Sequence, residues 1–215
     1  MKTILAYGDS LTFGANPTGG PRHAYEDRWP GALEAGLGGA ARVIAEGLGG
    51  RTTVFDDHSA AADRNGARIL PTLLASHAPL DLVIIMLGTN DLKPSINGSA
   101  QQASYGMRRL VQLVRGHFAG LGEPVPQVLM VAPPYLCETD NADMLDHFGG
   151  LDHGLQEARS FAHHYRRRAD ELGAPFFDAS TVAQPDPADG VHLDAANTRA
   201  IGEALVPVVK KLLGI

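Results

Sequence analysis

Six consecutive apolar residues, Leu82-Val83-Ile84-Ile85-Met86-Leu87, constrain this chain more than any other feature of it. A strand with one wet face alternates apolar and polar positions; an unbroken apolar run belongs to a strand covered on both faces. Parallel sheets are covered in that way, because each crossover lays a helix on one face or the other. The run therefore predicts the middle of a parallel sheet held between two helical layers. Four further β-rich segments, Thr3 to Tyr7, Arg42 to Ala45, Gln127 to Ala132 and Pro175 to Phe177, complete a set of five predicted strands. Helical spacing is read between them at 28–37, 65–76, 99–117, 152–172 and 195–213. In the fourth of these, Leu155, Ala158, Ala162, Tyr165, Ala169 and Leu172 form a stripe at intervals of three and four. Asp194 is the predicted cap of the last helix. Strands alternating with helices predict an α/β fold, a three-layer αβα sandwich on a five-stranded parallel sheet.

The length of 215 residues suits one domain, 1–215, with no repeat and no linker long enough to divide it. With 18 Lys and Arg against 24 Asp and Glu, the net charge of −6 argues against a general affinity for nucleic acid or an anionic membrane. A single cysteine, Cys137, excludes an intrachain disulfide and any Cys-rich metal site, and reads as a buried or incidental thiol. No window resembles a membrane span, and the short apolar start resembles no signal peptide, so the expected location is the cytoplasm.

In open α/β sheets ligands sit beyond the carboxyl ends of the strands. Those ends read Gly8-Asp9-Ser10-Leu11, Gly47-Leu48-Gly49-Gly50-Arg51-Thr52-Thr53 and Gly88-Thr89-Asn90-Asp91, and Asp189-Gly190-Val191-His192 precedes the last helix. Each fragment has a plain reading of its own: Ser10 as a helix cap, Asp189 and His192 as a turn with a surface histidine, Asn90 as a turn residue, and the glycines as loop residues. Together they supply a hydroxyl, an imidazole, a carboxylate three residues from it, a neutral amide and closely approachable backbone. Serine-based acyl transfer needs that set: a nucleophile, a base, a group that orients the base, and donors for an oxyanion.

With these blocks the chain resembles the SGNH hydrolases, also called the GDSL esterase/lipase family. Gly-Asp-Ser-Leu at 8–11, the glycine block before Arg51-Thr52-Thr53, Gly-Thr-Asn-Asp at 88–91 and Asp-Gly-Val-His at 189–192 occur in the family's order. The stretches Glu26-Asp27-Arg28-Trp29-Pro30 and Glu46-Gly47-Leu48 are similar to its arylesterase, acyltransferase and carbohydrate-deacetylase branch. The resemblance implies a flavodoxin-like SGNH hydrolase fold, with Ser10 as nucleophile, His192 as base and Asp189 as its orienter. It also implies oxyanion donors from the Ser10 N–H, the Gly50 N–H (rather than that of Gly49) and the Asn90 amide. The implied function is hydrolysis of short-chain, acetyl-type esters of aryl, alkyl or sugar alcohols through an acyl-enzyme, with transfer to alcohols as a variant. No cofactor or metal is expected, the partner is a small-molecule ester, and the branch implies a homo-oligomer.

Two rival functions use the same residues. A metal-dependent phosphoesterase would draw on Asp9, Asn90, Asp91 and His192, and a noncatalytic binding module would leave the triad idle. Other signals are set aside. Gly36-Leu37-Gly38-Gly39-Ala40-Ala41 fits a dinucleotide fingerprint but precedes a strand. Arg166-Arg167-Arg168, with Asp170 and Glu171 following, reads as a solvated face with local charge pairs. His163-His164 and Asp56-Asp57-His58 lack a complete ligand spacing, and Trp29 is expected to pack. Residues 135–154 are the longest irregular stretch, expected to serve as a lid, an oligomer contact or both.

Overall fold

A computed structural model describes residues 1–215, the side chain of residue 151 excepted. Five strands, β1 (Lys2–Gly8), β2 (Ala41–Gly47), β3 (Leu82–Met86), β4 (Gln127–Ala132) and β5 (Phe176–Asp178), form one sheet in the order β2-β1-β3-β4-β5. Every pairing is parallel. This is the doubly wound, flavodoxin-like order, whose topological switch lies between the carboxyl ends of β1 and β3.

Seven α-helices accompany the sheet: α1 (Ser10–Phe13), α2 (Trp29–Gly36), α3 (Gly66–His77), α4 (Ala100–Leu121), α5 (Ala142–His147), α6 (Leu151–Leu172) and α7 (Ala195–Leu213). Alternate residues of the central strands face opposite layers. Leu5, Tyr7, Val83, Ile85 and Met130 pack with residues of α3, α4 and α6, such as Leu70, Leu110 and Tyr165. Ile4, Ala6, Ile84, Met86 and Val131 pack with α2 and α7 through Trp29, Leu33, Ile201 and Leu205. All five residues of β3 are buried, as the apolar run requires of a strand with helices on both sides. The three-layer αβα sandwich with its five-stranded parallel sheet is thus observed.

The differences from expectation are local. β2 runs on to Gly47, two residues past the predicted end, in register with Gly8 of β1. Helix α4 passes Gly116 and Gly120 and stops at Gly122, which takes the left-handed conformation at φ 71° and donates to the carbonyls of Phe118 and Ala119. In α6 the predicted stripe is buried at Leu155, Ala158, Tyr165 and Ala169, but Ala162 and Leu172 are only half-buried, and Phe161 fills the core beside Ala162. The 135–154 stretch is not wholly irregular: it holds α5, capped by the Asn141 side chain, and the start of α6. Of the three consecutive arginines only Arg167 keeps the expected solvated pairing, with Glu171 at 3.5 Å. Arg168 is buried against the Tyr105 ring and pairs with Glu171, while Arg166 lies over Phe176. Guanidinium planes stack on aromatic rings readily, a tertiary preference that helical spacing does not disclose. No helix is long and apolar enough to cross a membrane among the described residues.

Candidate active site

β1 delivers Ser10 to the switch point. Gly8, its last residue, must be glycine: a Cβ there would lie 2.0 Å from Thr12 Oγ1 and 2.8 Å from the Met86 carbonyl oxygen. That lack of a side chain lets the short helix α1 fold back directly over the sheet end. The plain reading of Ser10 as a helix cap is overturned, because Asp9 occupies the cap and its Oδ1 accepts the Leu11 N–H at 2.9 Å. Ser10 is the first helical residue, so its hydroxyl is left for other partners. Trp29 packs as expected, fully buried, and its indole N–H donates to Thr12 Oγ1 at 3.1 Å.

The hydroxyl meets the far end of the chain. Ser10 Oγ lies 2.9 Å from Nε2 of His192, and Nδ1 of that ring lies 2.5 Å from Asp189 Oδ2. The other carboxylate oxygen, Oδ1, accepts the N–H groups of Val191 at 2.9 Å and His192 at 2.8 Å. Burial pushes the Asp189 carboxyl up, but the hydrogen bonds from the His192 ring and from these two amides outweigh it and hold the group below its ordinary range. An ionised carboxylate only accepts, so Nδ1 carries the proton of a neutral ring and Nε2 is left to accept from the Ser10 hydroxyl. The resulting chain can move a proton from the hydroxyl to the ring while the carboxylate stabilises the imidazolium.

Three groups flank the hydroxyl. The Asn90 side chain is buried, and its Nδ2 donates one N–H to the Arg51 carbonyl at 3.2 Å, leaving the second free. Gly50 has φ +80°, where a side chain would be strained, and a Cβ on it would lie 2.5 Å from Arg64 Nε. Among the described residues no protein acceptor engages the N–H of Ser10 or of Gly50. The Arg51 guanidinium fastens this end of the sheet from below. It lies over the Tyr7 ring at 4.3 Å and donates to the carbonyls of Gly8, at 2.7 Å, and Glu46. Ser10, Gly50, Asn90 and His192 all open into one cleft of about 240 Å³. Its outer wall comes from Arg64 and Lys93, which the sequence does not single out, and from Met144, His147 and Phe148 of the 135–154 stretch expected to be a lid, an oligomer contact or both. For Lys93 and Arg64 the sequence offers little beyond position: Lys93 stands three residues after Asn90, and Arg64 lies in the long loop before α3.

Two buried carboxyls lie beneath. Burial pushes Asp9 up to about 6 and Asp91 up to about 7, against the pull of their hydrogen bonds. Asp91 accepts from the Thr53 N–H at 3.0 Å and from the Thr53 hydroxyl, tying the Asn90 turn to the loop after β2. Thus Asp9, Asp91, Asn90 and His192 are each engaged with separate protein partners. Among the described residues no group of three or more His, Cys, Asp or Glu side chains is placed to hold a metal ion. Cys137, whose N–H donates to the Gly190 carbonyl, has its Sγ 3.4 Å from the Pro185 carbonyl oxygen, and burial raises its thiol.

This architecture recurs in known structures. A carbohydrate acetylesterase family member from Sinorhizobium meliloti is 55% identical, with a TM-score of 0.95 over 100% of both chains. The M. smegmatis aryl esterase is 42% identical, with a TM-score of 0.92 over 99% of this chain and 100% of that one. A second carbohydrate acetylesterase from Sinorhizobium meliloti is 40% identical, at a TM-score of 0.92 and the same coverage. Curated protein sequences contain no match. The sequence profile of the GDSL-like lipase/acylhydrolase family matches residues 6–200, which spans all four motif blocks. The chain therefore belongs to the GDSL-like lipase/acylhydrolase family, and its chemistry is that of a carboxylic ester hydrolase.

Proposed function

We propose that this chain is a serine esterase of one catalytic domain, 1–215, acting on short-chain, acetyl-type esters of aryl, alkyl or sugar alcohols. The observation that carries the reading is the continuous hydrogen-bonded chain from Ser10 Oγ through His192 to Asp189, at 2.9 and 2.5 Å, opening into the cleft that also holds Gly50 and Asn90. Ser10 attacks the ester carbonyl while His192 Nε2 takes its proton. Asp189 holds the ring and stabilises its charge. The tetrahedral oxyanion is bound by the Ser10 N–H, the Gly50 N–H and the second N–H of the Asn90 amide, a reading supported by their shared cleft and by the lack of protein acceptors for the two backbone groups among the described residues. His192 then protonates the departing alcohol. Water, or a second alcohol, resolves the acyl-enzyme by the reverse route.

The choice of short acyl groups rests on the resemblance to arylesterases and carbohydrate acetylesterases and on the modest cleft. A panel of 4-nitrophenyl esters from C2 to C12 tests it: kcat/KM should be greatest at C2 and fall steadily, and a maximum at C8 or beyond would refute it. The resemblance also supports a homo-oligomer, which light scattering would detect, and the lone Cys137 suits a reducing cytoplasm.

A further inference from the structure

We propose that Lys93 recognises an anionic group, so that the ester taken by this cleft carries a carboxylate close to its scissile bond. The inference rests on the esterase reading and deepens it. Lys93 is half-buried in the wall of the same cleft as Ser10, Gly50 and Asn90. Its backbone is fixed by the 3₁₀ turn at Thr89–Leu92, where its N–H donates to the Asn90 carbonyl at 3.3 Å, so its stem is anchored beside the oxyanion donor.

Among the described residues no carboxylate forms an ion pair with Lys93. Two act on it only from a distance. Asp57 is already held by Arg64 Nη1 at 2.6 Å and by the Ser59 hydroxyl at 2.6 Å. Asp9 is fully buried, with one oxygen on the Leu11 N–H. The ammonium is partly desolvated and stands close to a second cation, Arg64, and both conditions disfavour its charge. The remaining wall includes His147 and Phe148, whose ring faces the ammonium at 5.9 Å, and among the described residues no acidic side chain. A half-buried lysine whose ammonium has the Phe148 ring beside it but no anion, in a cleft wall without carboxylates among the described residues, lacks a counter-charge that a bound substrate can supply. A carboxylate offers a strong, charge-assisted acceptor for it.

Two pairs of esters test this and locate the charge. 4-Acetoxybenzoate against 4-acetoxybenzamide places the carboxylate on the alcohol side, and monophenyl succinate against its succinamate counterpart places it on the acyl side. In at least one pair kcat/KM should favour the carboxylate by about tenfold or more, the usual worth of a hydrogen bond to a charged group. That preference should shrink as NaCl is raised from 20 mM to 500 mM, a measurement that needs no variant. Lys93→Met should bring the ratio close to one through KM, and Lys93→Arg should restore most of it. Equal or lower rates on both carboxylates, or a ratio that survives Lys93→Met, would overturn the inference and leave the esterase reading standing. Failure to hydrolyse any ester, 4-nitrophenyl acetate included, would overturn both.

Discussion

Replacing Asp189 by Asn tests the geometry of the hydrogen-bonded chain more severely than removing the side chain would. Asp189 Oδ1 accepts two backbone N–H groups, from Val191 at 2.9 Å and His192 at 2.8 Å. In an asparagine of the same shape only the carbonyl oxygen can accept, so it must take that place. The NH2 group is then aimed at His192 Nδ1, which sits 2.5 Å from the other oxygen in the native chain. To accept from it, Nδ1 must lose its proton, so a neutral ring carries hydrogen on Nε2 and points it at Ser10 Oγ. An imidazole in that tautomer cannot take the serine proton. A loss of this kind costs about 10⁴-fold in kcat, or ~5.5 kcal/mol in the barrier. The fold should survive, because both backbone bonds persist. Steady-state hydrolysis of 4-nitrophenyl acetate at pH 7.5, alongside circular dichroism and thermal melting, provides the assay. A folded Asp189→Asn protein within tenfold of the wild-type kcat would refute the reasoning.

Other predictions rest on different parts of the site. Asn90→Ala should lower kcat by about 10²- to 10³-fold with little change in KM, since the N–H that the amide does not give to the Arg51 carbonyl is assigned to the oxyanion; an unchanged kcat would remove it from that role. Gly50→Ala should lose most activity and some stability, because its Cβ meets the Arg64 guanidinium at 2.5 Å and its φ of +80° is strained for alanine; full activity would show that the loop relaxes freely. Acid titration should reveal Asp9 and Asp91, raised to about 6 and about 7 from an unfolded value of 3.8. The folded chain binds their protons where the unfolded chain does not, so the stability they contribute is present below pH 4 and is lost as pH rises through 6 to 7. Asp91→Asn should therefore flatten the fall in urea-unfolding free energy between pH 5 and 7.5, and identical slopes would contradict it. Dialysis against EDTA should leave ester hydrolysis intact, whereas loss of activity reversed by a divalent cation would favour the phosphoesterase alternative.

The sequence carried the layer architecture because hydrophobic period is a direct imprint of burial. The unbroken run at 82–87 could only be covered on both faces, and β3 is. Tertiary choices left fainter marks. Asp9 and Ser10 are both good helix caps, and which of them occupies the cap depends on where Gly8 lets the chain turn. Helix α5 has six residues and no buried stripe, so its place in the cleft wall follows from packing and not from period. Lys93 and Arg64 are ordinary surface residues by type; only the folded cleft brings them beside Gly50. The motif blocks around Ser10, Asn90 and His192 were legible for the opposite reason, because each stands at a strand end or helix entry where the fold has a fixed geometry.

The central claim, that Ser10 is an activated nucleophile, is tested most directly by a fluorophosphonate probe followed by peptide mass spectrometry. The account predicts stoichiometric phosphonylation of Ser10 in the wild type with parallel loss of esterase activity, and no labelling in folded Ser10→Ala or His192→Ala protein. Label on another residue, or undiminished ester hydrolysis by folded Ser10→Ala, would contradict it.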